Sequence, residues 1–376
     1  VTDCSNLSDK IDWQAQAVVQ SARLHPYIPG KPIEQLLREK GISTAVKLAS
    51  NENPYGVPPK AVAAMQKAAT QAHRYPDGNC SKLRKALATF HQVNENTLVL
   101  GNGSNEVLEL IIRTFAGAGD DVVFSQRGFI VYALAAQAAG ANPVAVAEAD
   151  GLTHDLQAMA AAVNECTKLV CIANPNNPTG TMHDTASLQA FLDQLPRQVI
   201  VLLDEAYYEF VSDILGDTVH VLQHPGLIIS RTFSKAYGLA GLRLGYAVMA
   251  PEIASLVNRF REPFNVNLLA QEAALAALDD QSWVMQHVQL MNEQRAVLEK
   301  ALQQRGVLGG VSCGNFVLLK HEAAKELTEW LESRGVIPRP LAPYGMPDVL
   351  RISVGLDSEN EVFLKTLDAF LVAVAA

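Results

Sequence analysis

From about residue 97 onward, short apolar runs alternate with longer amphipathic stretches. The runs are LVL (98–100), VVF (122–124), LVCIA (169–173), VIVLL (199–203), LIIS (227–230) and LGYAVM (244–249). Such a run is apolar on both of its faces, so the strand it forms must be covered on both sides. A mostly parallel sheet sandwiched by helices meets that demand. The stretches between supply helices over 104–115, 129–139 and 185–195. Two more precede them, over 58–72 with Pro58 at its start and over 81–91 with Ser81 as its N-cap. The strands are expected over 97–100, 121–124, 141–146, 168–173, 199–203, 227–230 and 244–249. The texture changes near Pro251. Residues 267–304 read as one long helix, broken or continuous. After it, 315–319, 323–334, 349–354 and 359–375 alternate strand, helix, strand, helix, which is a small α+β block.

With 376 residues and about 150 residues per domain as a guide, the chain divides into four expected parts. Residues 1–50 form an N-terminal arm, part of the small domain, with little regular pattern and the segment HPYIPGKP (25–32). Residues 51–265 form the large domain, 266–305 the connecting helix, and 306–376 the small C-terminal domain. No internal repeat is visible.

Composition excludes several classes. Hydrophobic residues at 49% and charged residues at 18% rule out a disordered chain. A formal charge of −9 gives no general attraction for nucleic acid or anionic membranes. The five cysteines (Cys4, Cys80, Cys166, Cys171, Cys313) are odd in number and scattered. That is no disulfide framework and points to a reducing compartment. Cys166 and Cys171 have no His or second Cys pair to complete a metal site. The longest uncharged stretch, 128–147, is interrupted by Gly140, Asn142 and Pro143, which fits a helix running into a strand better than a membrane span. The opening VTDCSNLSDKIDW does not read as a secretory signal. A cytoplasmic protein is expected.

Ligands of open α/β sheets sit at the carboxyl ends of the strands, so the residues that follow each strand matter most. GNGSNE (101–106) opens a helix and offers backbone N–H groups and the Ser104 hydroxyl to a phosphate. Glu106 stands where a dinucleotide fingerprint has its third glycine, which argues against a nicotinamide enzyme; an ordinary glycine turn is the alternative. NPNNPTG (174–180) is a rigid turn presenting Asn177, or a purely structural one. In DEAYYEF (204–210), Asp204 ends an apolar strand. Its carboxylate should be desolvated and in need of a cationic partner, unless it serves only to cap a helix. In RTFSKAYGLAGLRLGY (231–246), Lys235 sits in a tight turn among small and apolar residues. Burial lowers a lysine's pKa and makes its amine nucleophilic; the alternative is a surface lysine. Thr232, Ser234 and Arg243 together could hold a dianion. An acid, an amine and a phosphate cup are what pyridoxal 5′-phosphate requires.

The order GNGSNE, NPNNPTG, DEAYYEF, RTFSKAYGLAGLRLGY and LRISVG (350–355) resembles the fold type I aminotransferases from about residue 45 to the end. NENPYG (51–56) and RYPDG (74–78) are similar to the histidinol-phosphate aminotransferase branch. The resemblance implies roles position by position. Lys235 is the Schiff-base lysine and proton shuttle, and Asp204 the partner of the pyridinium nitrogen. Tyr207 and Asn177 bond the cofactor's 3′ oxygen. Phe129 stacks on the ring, and Ser104 and Asn105 belong to the phosphate loop. Tyr55 reaches the phosphate of the neighbouring subunit, implying a homodimer with shared active sites. Arg351 clamps the substrate α-carboxylate, and Tyr27 and Arg339 contact the distal end of the substrate. One departure stands out: the family usually has a proline near Arg127 or Gly128, where this chain reads SQRGF (125–129).

The implied reaction is transamination between histidinol phosphate plus 2-oxoglutarate and imidazole acetol phosphate plus glutamate, in histidine biosynthesis. The partners are then small molecules, an amino donor and a 2-oxo acid acceptor. An aromatic amino acid aminotransferase of the same branch is the alternative, followed by a pyridoxal-phosphate decarboxylase of similar fold. A ligand-sensing regulator on an aminotransferase body would need a basic DNA-binding module. The segment before the core, about 45 residues, carries no basic cluster.

Overall fold

The computed structural model describes residues 12–24 and 30–375. Cys4 and Tyr27 lie outside the described residues. The strands are β1 (Val46–Lys47), β2 (Leu98–Gly101), β3 (Asp121–Ser125), β4 (Asn142–Val146), β5 (Thr167–Ala173), β6 (Ile200–Asp204) and β7 (Leu227–Thr232). They continue with β8 (Gly245–Met249), β9 (Leu308–Gly310), β10 (Phe316–Lys320), β11 (Val336–Ile337), β12 (Arg339–Pro340) and β13 (Val349–Ser353).

Seven strands form the large sheet in the order β2-β8-β7-β6-β5-β3-β4. β8 pairs antiparallel with both β2 and β7, while the other pairings are parallel. The double-sided burial read from the apolar runs is visible residue by residue. Val122, Phe124, Leu169, Cys171, Leu202 and Ile228 pack on one face against helices Ser104–Phe115 and Val131–Ala139. Their neighbours Val123, Val170, Ile172, Val201, Leu203 and Ile229 pack on the other, against Leu156–Ala161 and Thr185–Leu192. Side chains alternate across a strand, so every residue of such a run needs a covering layer. Asp155 and Asp184 start the two helices of the second face by accepting from Ala158 N at 2.9 Å and Ser187 N at 2.7 Å.

A smaller antiparallel sheet, β12-β13-β10-β9, accompanies helices Ala324–Ser333 and Asp357–Ala375. β1 pairs in parallel with β11, which ties the N-terminal segment to the C-terminal block.

Two local expectations are corrected and a third is narrowed to one of its two forms. The leader contains helices Trp13–Gln16, Val19–Arg23 and Ile33–Lys40, the last stopped by Gly41 in the left-handed region. Ser81 begins its helix but does not cap it. Asp77 does, its carboxylate accepting from Asn79 N at 2.9 Å and Ser81 N at 2.8 Å. The stretch 267–304 is two helices, Leu268–Leu278 and Gln281–Gln304. At the break, Lys60 Nζ donates to the Asp279 carbonyl at 2.9 Å and lies 3.5 Å from the Asp280 carboxylate. A carbonyl taken by a side chain is lost to the helix ladder. Among the described residues, no helix is long and apolar enough to cross a membrane.

Candidate active site

The carboxyl ends of β2, β5, β6 and β7 open onto one cavity of about 210 Å³. Its lining includes Lys235, Asp204, Tyr207, Asn177, Ser104, Asn105, Phe129, Thr232, Ser234, Arg243, Arg351 and Arg339. Sequence reading named all of these. Tyr55 is not in the lining; its ring packs edge-on against His287, with centroids 5.0 Å apart.

Lys235 follows β7 by three residues, behind fully buried Phe233. Its Nζ donates to the Ser50 carbonyl at 3.0 Å. Desolvation, reinforced by the Arg351 and Arg243 guanidinium groups, lowers the amine to about 7. A substantial fraction is therefore neutral and nucleophilic near pH 7.

Asp204 is the last residue of β6 and is buried. The expected cationic partner is not what holds it. Its Oδ2 accepts from the Tyr132 hydroxyl at 2.9 Å and its Oδ1 from the Ser230 hydroxyl at 3.1 Å. Hydroxyls only partly offset lost solvation, so burial pushes the acid up to about 6. Sequence reading missed both partners. Ser230 is found only once β6 and β7 are in register, which pairs it with Asp204. Tyr132 comes from a helix 72 residues earlier in the chain.

The phosphate-like end is built where β2 meets helix Ser104–Phe115. Gly103 precedes that helix at φ 84°, and no side chain caps it. A Cβ on Gly103 would collide with the Arg243 guanidinium, and one on Gly245 with the Ser104 backbone. Glycine at both positions lets a helix N-terminus and an arginine converge. Arg243 Nη1 donates to Ser234 Oγ at 3.3 Å, and Thr232 Oγ1 accepts from Ser234 N at 3.1 Å. Glu106 has a structural task here. Its carboxylate accepts from Asn102 N within the turn and from Asn265 Nδ2 at 2.6 Å.

Across the cavity, Arg351 projects from β13 in the small sheet. It donates to the Ala49 carbonyl at 2.7 Å and to Asn177 Oδ1. Tyr207 OH accepts from Asn51 Nδ2 at 2.9 Å. Burial outweighs the nearby Arg351 charge and raises this phenol to about 12. Asn51, a residue at φ 54°, is fixed by Ser353 on both its backbone N–H and its side chain. Ser50, Asn51 and Tyr344 also line the wall and were missed. NENPYG was read as a branch marker, and its leading asparagine is the signal that could have found Asn51.

The family model for aminotransferase class I and II matches residues 43–367. The chain belongs to that family. Among curated relatives of this aminotransferase, histidinol-phosphate aminotransferase 1 of Idiomarina loihiensis is 46% identical over 348 residues, covering 92% of this chain and 95% of that protein. The histidinol-phosphate aminotransferase of Methylobacillus flagellatus is 48% identical over 350 residues, with 92% and 95% coverage. The crystal structure of histidinol-phosphate aminotransferase from Sinorhizobium meliloti in complex with pyridoxal-5′-phosphate superposes with a TM-score of 0.88 at 28% identity, covering 96% and 98% of the two chains. Aspartate aminotransferase from Thermotoga maritima shares the fold, with a TM-score of 0.80 at 21% identity over 95% of this aminotransferase and all of that chain.

Proposed function

We propose that this aminotransferase is pyridoxal-phosphate-dependent and interconverts histidinol phosphate plus 2-oxoglutarate with imidazole acetol phosphate plus glutamate. One observation carries the reading. A single cavity gathers a neutralisable lysine, a buried acid with no cationic partner among the described residues and an arginine at an uncapped helix N-terminus. It does so in a chain 46–48% identical to proteins named for this reaction.

The residues fit the cofactor group by group. Asp204, raised by burial and bonded by the Tyr132 and Ser230 hydroxyls and the Ala206 backbone, would hold a protonated ring nitrogen, which supplies a cation. The first N–H groups of helix Ser104–Phe115, with Ser104, Asn105, Thr232, Ser234 and Arg243, would hold the phosphate. Tyr207 and Asn177 would bond the ring oxygen, and Phe129 would cover one ring face. When bound, the cofactor supplies a carbonyl carbon that receives the amino group and a ring that draws electrons from the substrate α-carbon.

The chain's own chemistry then centres on Lys235. Its Nζ, lowered to about 7, would hold the cofactor's aldehyde carbon until a substrate amine displaces it, and the freed amine would then take the α-proton as a base. Arg351 binds the carboxylate of glutamate or the phosphate of the alternate substrate. Arg339, beside it across β12 and β13, and Tyr27 serve the distal end. Tyr55 completes the phosphate site of a second subunit, so the enzyme is a homodimer with shared sites. A large domain over 51–265 joined through 266–305 to a small one, and a cytoplasmic location, complete the proposal.

The test is a half-reaction screen. The cofactor-loaded enzyme is mixed in turn with histidinol phosphate, glutamate and phenylalanine, and loss of the visible cofactor band is timed. Histidinol phosphate and glutamate are expected to react, and Lys235→Ala to abolish both responses. A strong preference for phenylalanine over histidinol phosphate would overturn the substrate assignment.

A further inference from the structure

The turn that carries Phe129 joins β3 to helix Val131–Ala139 and contains no proline to stiffen it. Gly128 N donates back to the Ser125 carbonyl at 2.8 Å, so the chain reverses tightly there. An anion outside the cavity lining fixes this turn. Glu148 lies two residues beyond β4, and its side chain is only 3% exposed. Its Oε1 accepts from Arg127 N at 2.6 Å and from the Ser125 hydroxyl. Its Oε2 lies 3.9 Å from Arg127 Nε, and the same guanidinium donates to the Gly151 carbonyl.

The carbonyl of the same residue is also held. Asn176 Nδ2 donates to the Arg127 carbonyl at 2.9 Å and to Thr179 Oγ1 at 2.8 Å. Asn176 is fully buried and immediately precedes Asn177 in the cavity wall. Arg127 is thus gripped at its N–H by Glu148 and at its carbonyl by Asn176. Two residues later comes Phe129, whose ring meets Tyr132 edge-on at 6.0 Å; Tyr132 in turn donates to Asp204. A buried carboxylate is costly unless it is fully bonded. This one is bonded to the turn that shapes the cavity.

We propose that Glu148 is a positioning residue of the transamination, holding Phe129 in place through the backbone of Arg127, whose carbonyl Asn176 ties to the turn bearing Asn177. The proposal rests on the reading of Phe129 as the wall against the cofactor ring, and the test separates the two. Cofactor-free enzyme is titrated with pyridoxal phosphate, and its dissociation constant is measured for wild type, Phe129→Ala, Glu148→Ala, Glu148→Gln and the double variant Phe129→Ala/Glu148→Ala. Glu148→Ala is expected to raise the constant about tenfold, the scale of a lost charge-assisted hydrogen bond. Glu148→Gln keeps an oxygen facing both donors and should stay within about threefold. In the Phe129→Ala background, removing Glu148 should add nothing, because the residue acts through Phe129.

An equal loss from Glu148→Ala in both backgrounds would overturn the positioning role. So would an unchanged constant in Glu148→Ala beside a raised one in Phe129→Ala. If Phe129→Ala itself leaves the constant unchanged, the ring-wall reading falls and the positioning role with it. Should Glu148→Ala fail to fold, Ser125→Ala removes one donor and leaves the carboxylate its backbone partner. Its expected effect is about threefold alone and none in the Phe129→Ala background; any other pattern overturns the proposal.

Discussion

Asp204 and Lys235 depart from their ordinary pKa values for one reason, loss of water, and in opposite directions. The acid rises to about 6 and the amine falls to about 7. Both shifts oppose the charged form, and a bound ring bearing a proton on its nitrogen would reverse the first. This gives a signed prediction for the cofactor-free protein. Asp204 binds its proton more tightly folded than unfolded. Its contribution to stability is therefore full below about pH 4 and is lost as pH rises through about 6. The stability of wild type relative to Asp204→Asn should fall across that window in denaturant unfolding and flatten once cofactor is bound. The same variant keeps the Tyr132 and Ser230 partners but cannot hold a protonated ring, and turnover should drop by about three orders of magnitude or more. A variant retaining a tenth of wild-type turnover would contradict the role. At this scale the sequence was informative because Asp204 ends a strand and Lys235 comes just after one. It was silent on Tyr132 and Ser230, because a hydroxyl's partner depends on register and packing that no local pattern encodes.

At the scale of elements, β6 and β7 carry chemistry on one side and support on the other. Asp204 faces the cavity, while its neighbour Glu205 is fully buried elsewhere. Glu205 Oε2 meets Arg231 Nη2 at 2.9 Å, and Thr218 Oγ1 bonds to both residues. The Arg231 guanidinium also lies 3.5 Å from the centre of the Tyr208 ring. Arg231→Ala would leave a buried carboxylate with Thr218 alone, so it should lower the unfolding free energy by about 3–5 kcal/mol. Replacing the pair together, Glu205→Leu with Arg231→Met, should cost less than Arg231→Ala alone in the same unfolding measurement. A larger cost for the double variant would mean that the pair is needed for more than its own charge balance. Long apolar and amphipathic elements such as β5, β6 and helix Ser104–Phe115 were legible because their period shows in many residues. The two- and three-residue strands β1, β9, β11 and β12 were not, since each exists only through its partner.

For the whole molecule, the layered sheet and the order of its strand-end motifs were written in the sequence, and the cavity at the strand ends follows from them. What a single chain does not supply is a task for Tyr55, which lies outside its own cavity beside His287. A surface near the phosphate-like end suggests how a second copy would bring it there. Tyr75, 83% exposed, stacks on Phe264 with centroids 4.7 Å apart. Phe264 adjoins Asn265, which bonds the Leu100 carbonyl and Glu106 at the turn holding the helix N-terminus. An exposed aromatic pair beside a binding site is the kind of patch that association covers. If a partner subunit docks there and lends its Tyr55 hydroxyl, cofactor affinity must depend on protein concentration. Diluting wild type below its dimer dissociation constant should weaken pyridoxal phosphate binding in parallel with the loss of dimer seen by sedimentation. Tyr55→Phe should weaken binding about tenfold at high concentration, the loss of one hydrogen bond to a charged group, and should shrink the dependence on dilution while leaving the dimer intact. Cofactor affinity that stays constant while the dimer dissociates would show that each subunit completes its own site.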